Sequence, residues 1–270
     1  MIESVVAAVR GVAEQEVMPR YLKVAQRRKS DGTLLTEADL AAQHALAAAL
    51  PAIHPAAVMG EEMSQDQQFA RWLEGSDGLW CVDPIDGTSN FVNGLPYFAV
   101  SVALLLRGRP MLGVVYDPVA NEVFCAERGK GAYLNGERLP IKSRVPSLRT
   151  AMAAVDFKRL PEPLARGLAY RPPYASQRNF GASTLDWCYT AAGRFDVYVH
   201  GGQKLWDYAA GALILEEAGG GMCTLTEDRF WEAPVWHRSV LASWDRGLLD
   251  HWRDWVRGRL SPAAGPLVSR

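Results

Sequence analysis

The residues that invite a chemical reading are carboxylates. In the run CVDPIDGTSN, residues 81–90, Asp83 and Asp86 stand three apart, and Asp86 is followed by Gly87 and the hydroxyl of Thr88. Two other sites share the layout of an apolar segment joined to acids: VMGEE, carrying Glu61 and Glu62, and KLWDYAAGALI, carrying Asp207. Each acid alone has a plain role open to it. Asp39, three residues after Thr36, suits a helix capping box; Asp207 suits a helix N-cap. Glu61 and Glu62 suit a solvated strand end, and Asp83 and Asp86 suit a turn beside Pro84 and Gly87. Together they read differently. Converging carboxylates repel unless cations lie between them. Hard oxygen ligands without paired Cys or His favour Mg²⁺ or Mn²⁺ over zinc. Two such ions can hold the attacking and leaving oxygens of an in-line displacement. A helix starting at TSNFVNG would add backbone N–H groups facing an anion.

The rest of the chain must position these groups. It has 270 residues, enough for one large or two modest domains. Its 49% apolar and 22% charged residues are ordinary for a globular protein. A net charge of -1 gives no reason to expect nucleic acid or an anionic membrane as partner. Cys81, Cys125, Cys188 and Cys223 form no CxxC pair, so neither a zinc site nor a redox dithiol is expected, and reduced thiols imply a cytoplasmic protein. The N-terminal stretch, broken by Glu3 and Arg10, lacks a signal-peptide core, and no segment reaches the length of a membrane span.

Helical spacing marks the first 17 residues, then TEADLAAQHALAAAL up to Pro51, QDQQFARWLEGSDG, STLDWCYTAAG, and DYAAGALILEEAGG closed by Gly219 and Gly220. LWCV is a short strand delivering the Asp83 motif. FAVSVALLL, TAMAAVDF and FDVYVH are further strands, and residues 111–139 read as an antiparallel meander. The class is α/β or α+β in layers. The natural division falls near KSRVPSLRT, giving halves 1–145, with the main acidic motifs, and 146–270, with Asp207. The tail SPAAGPLVSR reads as frayed.

Haloacid-dehalogenase-type phosphatases carry Asp-x-Asp-Gly-Thr near the N-terminus. Here two residues, Pro84 and Ile85, intervene, and the motif lies well inside the chain. The chain instead resembles the inositol monophosphatase family of lithium-sensitive, Mg²⁺-dependent phosphatases. GEE at 60–62, DPIDGTSNFVNGLPYFAVSVAL, GKGAYLNGERL, GASTLDWCYTAAGRFDVY and WDYAAGALILEEAGG carry the resemblance, which runs from about residue 5 to 245. It implies an αβαβα sandwich of the inositol monophosphatase and fructose-1,6-bisphosphatase type, forming one family domain and usually a homodimer. It implies that Glu61, Asp83 and the Ile85 carbonyl hold one Mg²⁺, and that Asp83, Asp86 and Asp207 hold a second. Glu61 approaches a third, so two to three ions are expected. Gly87 and Thr88 N–H groups would bind phosphate. Thr88, Asp39 and Glu61 are the implied catalytic residues, with the Thr88 hydroxyl and Asp39 orienting and deprotonating the attacking water. Gly181, Ala182, Ser183 and His200 are the implied substrate contacts.

Two departures and one further match stand out. The stretch between AMAAVDF and YASQRNF is shorter than in animal members. Lys29 matches a family lysine near the third metal. His200 stands where inositol phosphatases carry a glutamate that grips a substrate hydroxyl; it reads either as a solvated strand-end histidine or as a rim residue that, with Lys204, favours a more anionic leaving group. The expected activity is hydrolysis of a small sugar or polyol phosphate by direct attack of water. Histidinol phosphate, a nucleoside bisphosphate, or a catalytically weak regulatory role are the alternatives.

Overall fold

The structure is a computed structural model that describes residues 1–23, 27–28, 34–143 and 145–260. Lys29 and the tail from residue 261 lie outside the described residues. Helix α1 (Ile2–Val12) buries Val5, Val9 and Val12 along one face and continues through a π turn and a 3-10 turn to Arg20. A short hairpin, β1 (Arg27–Arg28) with β2 (Leu34–Leu35), leads to α2 (Glu37–Ile53). That helix runs past Pro51 instead of stopping there. Proline removes one hydrogen bond without forbidding the next turn, and the His54 N–H still closes on Leu50 O at 3.1 Å.

Next come β3 (Ala57–Gly60), α3 (Gln65–Glu74), β4 (Leu79–Asp86), the short α4 (Thr88–Asn93) and β5 (Ala99–Leu106). The expected meander follows as β6 (Arg109–Asp117), β7 (Glu122–Glu127), β8 (Ala132–Leu134) and β9 (Glu137–Arg138). These seven strands, β3 to β9, form one sheet in chain order, parallel only between β3 and β4. The second half contains β10 (Met152–Asp156), α5 (Glu162–Tyr170), β11 (Ser176–Arg178), α6 (Ser183–Ala191), β12 (Val197–Gln203), α7 (Leu205–Glu217), β13 (Gly221–Cys223), β14 (Arg238–Ser243) and α8 (Arg246–Leu260). Its five strands pair in the order β11-β10-β12-β14-β13.

Strand alternation sets the layers. On β4 and β5, Trp80, Val82, Val100 and Val102 face α1 and α2, while Leu79, Cys81, Ala99 and Ala103 face α6 and α7. Those two helices fill the space between the sheets: Trp187 and Leu213 share a core with Tyr198 of β12 and Ala242 of β14. The opposite face of the smaller sheet, with Val155, Val199 and Leu241, packs on Leu168 of α5 and on Trp252 and Val256 of α8. The order of layers is therefore αβαβα, as the resemblance implies. α7 lies so close to β6 that a Cβ on Gly113 would stand 2.9 Å from Ala210 Cα. Among the described residues no helix is long and apolar enough to cross a membrane. All four cysteines are free thiols, and Cys81, Cys188 and Cys223 are buried.

Candidate active site

The parallel pairing of β3 and β4 puts the first acids side by side. Gly60 is in register with Val82, and the Glu61 N–H donates to Val82 O at 3.2 Å, so Glu61 leaves the sheet next to Asp83. The loop that carries Glu61 is held from two helices. Gln43 of α2 accepts the Glu62 N–H at 2.8 Å and occupies the space where any Gly60 side chain would go. Gln68 of α3 donates to the carbonyls of Gly60, Glu61 and Met63 at 3.3, 3.1 and 3.1 Å.

Asp83 and Asp86 do not sit in a turn, as their neighbours Pro84 and Gly87 suggest; both belong to β4. A spacing of three would place them on opposite faces of a regular strand. Opposite β5, however, Asp83 pairs with Ser101 and Asp86 with Ala99, so β4 carries one extra residue there. That bulge re-aims the side chains, while Ile85 buries its own in the core toward α2.

Asp83 is 1% exposed, and its Oδ1 has no hydrogen-bond partner. Burial pushes its pKa well up, and Glu61, Asp86, Asp207 and Glu62 push it further. Burial also raises Asp86, to about 6; the hydroxyl and N–H of Thr184 oppose the rise, and Glu61 adds to it. Thr184 grips Asp86 Oδ2 with its N–H at 2.6 Å and its hydroxyl at 2.7 Å. Asp207 reaches about 8 through burial, then Asp86 and Glu61, against the Lys204 N–H and Arg159. It is not the N-cap of α7 but the third residue of the helix: the Lys204 N–H donates to its Oδ2 at 2.8 Å. Glu61 and the three aspartates thus share one neighbourhood, in which Asp83, Asp86 and Asp207 resist ionisation. A buried carboxylate oxygen without a donor, surrounded by further carboxylates, is a donor set suited to a hard divalent cation. As the side chains stand, no three His, Cys, Asp or Glu among the described residues are arranged to hold a metal ion, so these acids would have to draw together around one.

Asp39 caps α2 and also reaches Thr88. Its Oδ2 accepts the Thr36 N–H at 2.7 Å and the Thr36 hydroxyl at 2.6 Å, completing the capping box of α2. Its Oδ1 lies 3.4 Å from the Thr88 hydroxyl, which also lies 3.0 Å from the Ile85 carbonyl. One hydroxyl proton serves two acceptors, so a cation on the Ile85 carbonyl would turn it toward Asp39.

Gly87 has φ +90°, and a side chain there would strike Tyr97 O and Ala182 Cβ, at 3.0 and 3.1 Å. It begins α4, whose first N–H groups lack intrahelical acceptors. Ala182 stands at the start of α6, between Gly181 and Ser183. Asn90 ties this start to α4 by donating to Phe180 O at 2.6 Å and Tyr97 O at 2.7 Å. The Gly181–Ala182–Ser183 trio thus lies against Gly87 and Asp86.

His200 is not a solvated strand-end histidine. It is 3% exposed, so solvent does not satisfy it. Its Nδ1 accepts the Gly202 N–H at 3.0 Å, and its Nε2 faces Asp156 Oδ2 at 3.5 Å from the neighbouring strand β10. Burial opposes ionisation of Asp156, yet His200 and the Lys158 N–H hold its carboxyl below the usual value. Its contacts are with Gly202 and Asp156, not with the four acids.

Sequence reasoning missed Gln43, Gln68, Asn90 and Thr184. Asn90 lies inside the motif and was within reach. Gln68 lies seven residues after Glu61 and Thr184 lies next to Ser183 in GASTLDWCYTAAG, but no local pattern says what either side chain holds; Gln43 acts from α2, 19 residues before Glu62.

A sequence profile of the inositol monophosphatase family matches residues 1–254, and the chain belongs to that family. It is 35% identical to an inositol-1-monophosphatase of Caulobacter vibrioides over 253 residues, covering 90% of this chain and 94% of that one. It is 43% identical over 194 residues to a protein of Pseudomonas aeruginosa named Nus factor SuhB, covering 69% and 70%. It superimposes with a TM-score of 0.79 and 25% identity on a crystal structure of an IMPase/NADP phosphatase complexed with Mg²⁺ and phosphate, covering 98% and 95%.

Proposed function

We propose that this protein is a Mg²⁺-dependent phosphomonoesterase that hydrolyses a small phosphorylated alcohol of the sugar or polyol class by direct attack of water. The unpartnered, buried Oδ1 of Asp83, amid Glu61, Asp86 and Asp207, carries this reading. Glu61, Asp83 and the Ile85 carbonyl would hold one ion, and Asp83, Asp86 and Asp207 another, with two to three per site and Mn²⁺ as a substitute. Bound there, the ions offset the carboxylate charge, acidify water and stabilise the leaving oxygen.

The protein's own groups do the rest. The N–H groups of Gly87 and Thr88 receive phosphate oxygens. The Thr88 hydroxyl accepts a hydrogen bond from the attacking water and passes its own proton toward Asp39 Oδ1, which makes the pair a general base. Glu61 orients the same water from the opposite strand end. Gly181, Ala182 and Ser183 border the alcohol, with His200 behind them. No side chain is needed as nucleophile: burial, Asp83 and Asp207 push the neighbouring Cys81 thiol well up, which keeps it unreactive. The protein acts as a cytoplasmic homodimer in this reading.

The name Nus factor SuhB on a 43% identical relative supports a second reading, a regulatory protein with weak catalysis. A panel of phosphate esters with Mg²⁺ decides between them. Turnover of any member supports the phosphatase; a folded protein that hydrolyses none supports the regulator.

A further inference from the structure

The strand end that leads to Asp207 is covered by the loop after β10. A Cβ on Gly201 would stand 1.9 Å from Arg159 O and 2.6 Å from Leu160 N, so loop and strand touch backbone to backbone. The Arg159 guanidinium then reaches back, and its Nη1 donates to Gly202 O at 3.0 Å. Against Gly202 also stands the exposed His237, its ring 2.2 Å from where a Cβ would be. Arg159 is therefore held at its backbone and at one end of its guanidinium, with the other N–H groups of the fork unused. Among the described residues it has no carboxylate within ion-pair distance, and it is exposed to solvent.

This placement borders the carboxylate site on the side of Asp207. Two residues after Gly202, the Lys204 N–H donates to Asp207 Oδ2 at 2.8 Å. Between them, Gln203 accepts the indole N–H of Trp187 at 2.9 Å, one turn into α6, whose start carries Ser183. Burial opposes ionisation of both Asp207 and Asp156, and the charge of Arg159 works against it in each. Neither acid pairs with the guanidinium. Asp156 accepts the Lys158 N–H at 2.7 Å and faces His200 Nε2 at 3.5 Å. Asp207 belongs to the acids that would hold cations. A braced guanidinium with spare donors, open to water beside a site for a phosphate ester, is suited to a second anion.

We propose that the sugar or polyol half of the substrate carries a second anionic group, a carboxylate or a further phosphate, and that the Arg159 guanidinium binds it. The inference rests on the phosphatase reading and narrows its substrate class. The alcohol lies between the start of α6 and Asp207, and its far end meets Arg159 beyond the end of β12. His200 does not take this part, because Asp156 and the Gly202 N–H engage both its ring nitrogens. The loop laid over its strand supplies the cation instead.

The test compares glucose 1-phosphate, glucuronic acid 1-phosphate and glucose 1,6-bisphosphate. They share the ester at C1 and carry an alcohol, a carboxylate or a second phosphate at C6; hydrolysis of the bisphosphate at C1 is read as glucose 6-phosphate formed. With Mg²⁺, kcat/KM is expected to be about tenfold higher for one of the anionic esters than for glucose 1-phosphate, mainly through KM, the scale of one charge-assisted hydrogen bond. Which of the two gains tells carboxylate from phosphate. The ratio to glucose 1-phosphate is expected to fall about tenfold in Arg159→Gln and to recover in part in Arg159→Lys, which restores the charge. Neither anionic ester preferred by the wild type, or the same ratio in Arg159→Gln, overturns the anion site and leaves the phosphatase intact. An equal loss for all three esters in Arg159→Gln makes the residue a brace for Gly202 alone and overturns the anion site as well. So does turnover of other esters but none of these three. Hydrolysis of no ester at all overturns both readings.

Discussion

Two strands of this molecule, one in each sheet, carry a β-bulge near the site, and their bulges do opposite things. In β4 the extra residue between Asp83 and Asp86 leaves a buried carboxylate oxygen without a donor. In β12 the extra residue between His200 and Gln203 leaves its polar groups paired. The Gly202 N–H goes to His200, and the Gly202 carbonyl accepts from Arg159 at 3.0 Å. A Cβ on Gly201 would stand 1.9 Å from Arg159 O, so the loop after β10 is pressed onto the bulge. The first bulge leaves the unpaired oxygen on which the proposed cation site rests; the second ties its groups to the loop after β10.

The largest expected effect is at the first bulge. Asp86→Asn keeps the shape and an acceptor for Thr184 while removing the charge. It should lower kcat about a thousandfold, some 4 kcal/mol of transition-state stabilisation, with an unchanged circular dichroism spectrum. A variant that folds and retains a tenth of wild-type turnover would make Asp86 a structural residue like those of β12.

Thr88→Ala should lower kcat about a hundredfold and leave Mg²⁺ affinity near normal. Asp39→Asn should act similarly on kcat, since the amide still caps α2. Because hydroxyl and carboxylate form one relay, the double variant should be little worse than either single one. Rate losses that multiply would separate the two residues.

The acids also predict a pH dependence of opposite sign to that of ordinary ion pairs. In the folded chain Asp86, at about 6, and Asp207, at about 8, both lie above the ordinary aspartate value of 3.8. Between about pH 4 and 8 the folded chain holds more protons than the unfolded one, so stability in chelator should fall as pH rises through that window. Mg²⁺ binding must displace those protons, so its affinity should drop about tenfold per unit from pH 8 to pH 6. Thr184→Val removes a donor that lowers Asp86 and should move that profile to higher pH. Calorimetric titration at several pH values checks all three.

The smallest effect is expected at the second bulge. His200→Gln should change kcat less than about threefold and lower stability by about 1–2 kcal/mol, through loss of paired, buried hydrogen bonds. A large change in substrate preference with normal stability would return His200 to the substrate rim, as the sequence resemblance has it.

The sequence made the first region legible and the second opaque for a physical reason. Glu61, Asp83, Asp86 and Thr88 lie within 28 residues and join through adjacent strands β3 and β4, so local spacing carries most of their arrangement. The layered fold was readable from helical and alternating periods, and from the closing glycines of α7. The bulge in β4 was hidden, since a spacing of three looks the same in a turn. His200 depends on Asp156, 44 positions earlier, and Thr184 reaches Asp86 across 98. The edge strands β11 and β13 of the five-stranded sheet, the inner strand β14, and helices α5 and α8 went unassigned, because short strands and mixed faces leave weak periods.

The account stands most directly on phosphate release by the purified protein as Mg²⁺ is removed and restored. It predicts hydrolysis of at least one small phosphate ester with Mg²⁺, loss of that activity on exhaustive chelation, and recovery on adding Mg²⁺ back to wild type but not to Asp86→Asn. Turnover that survives chelation, or equal recovery in Asp86→Asn, would contradict it.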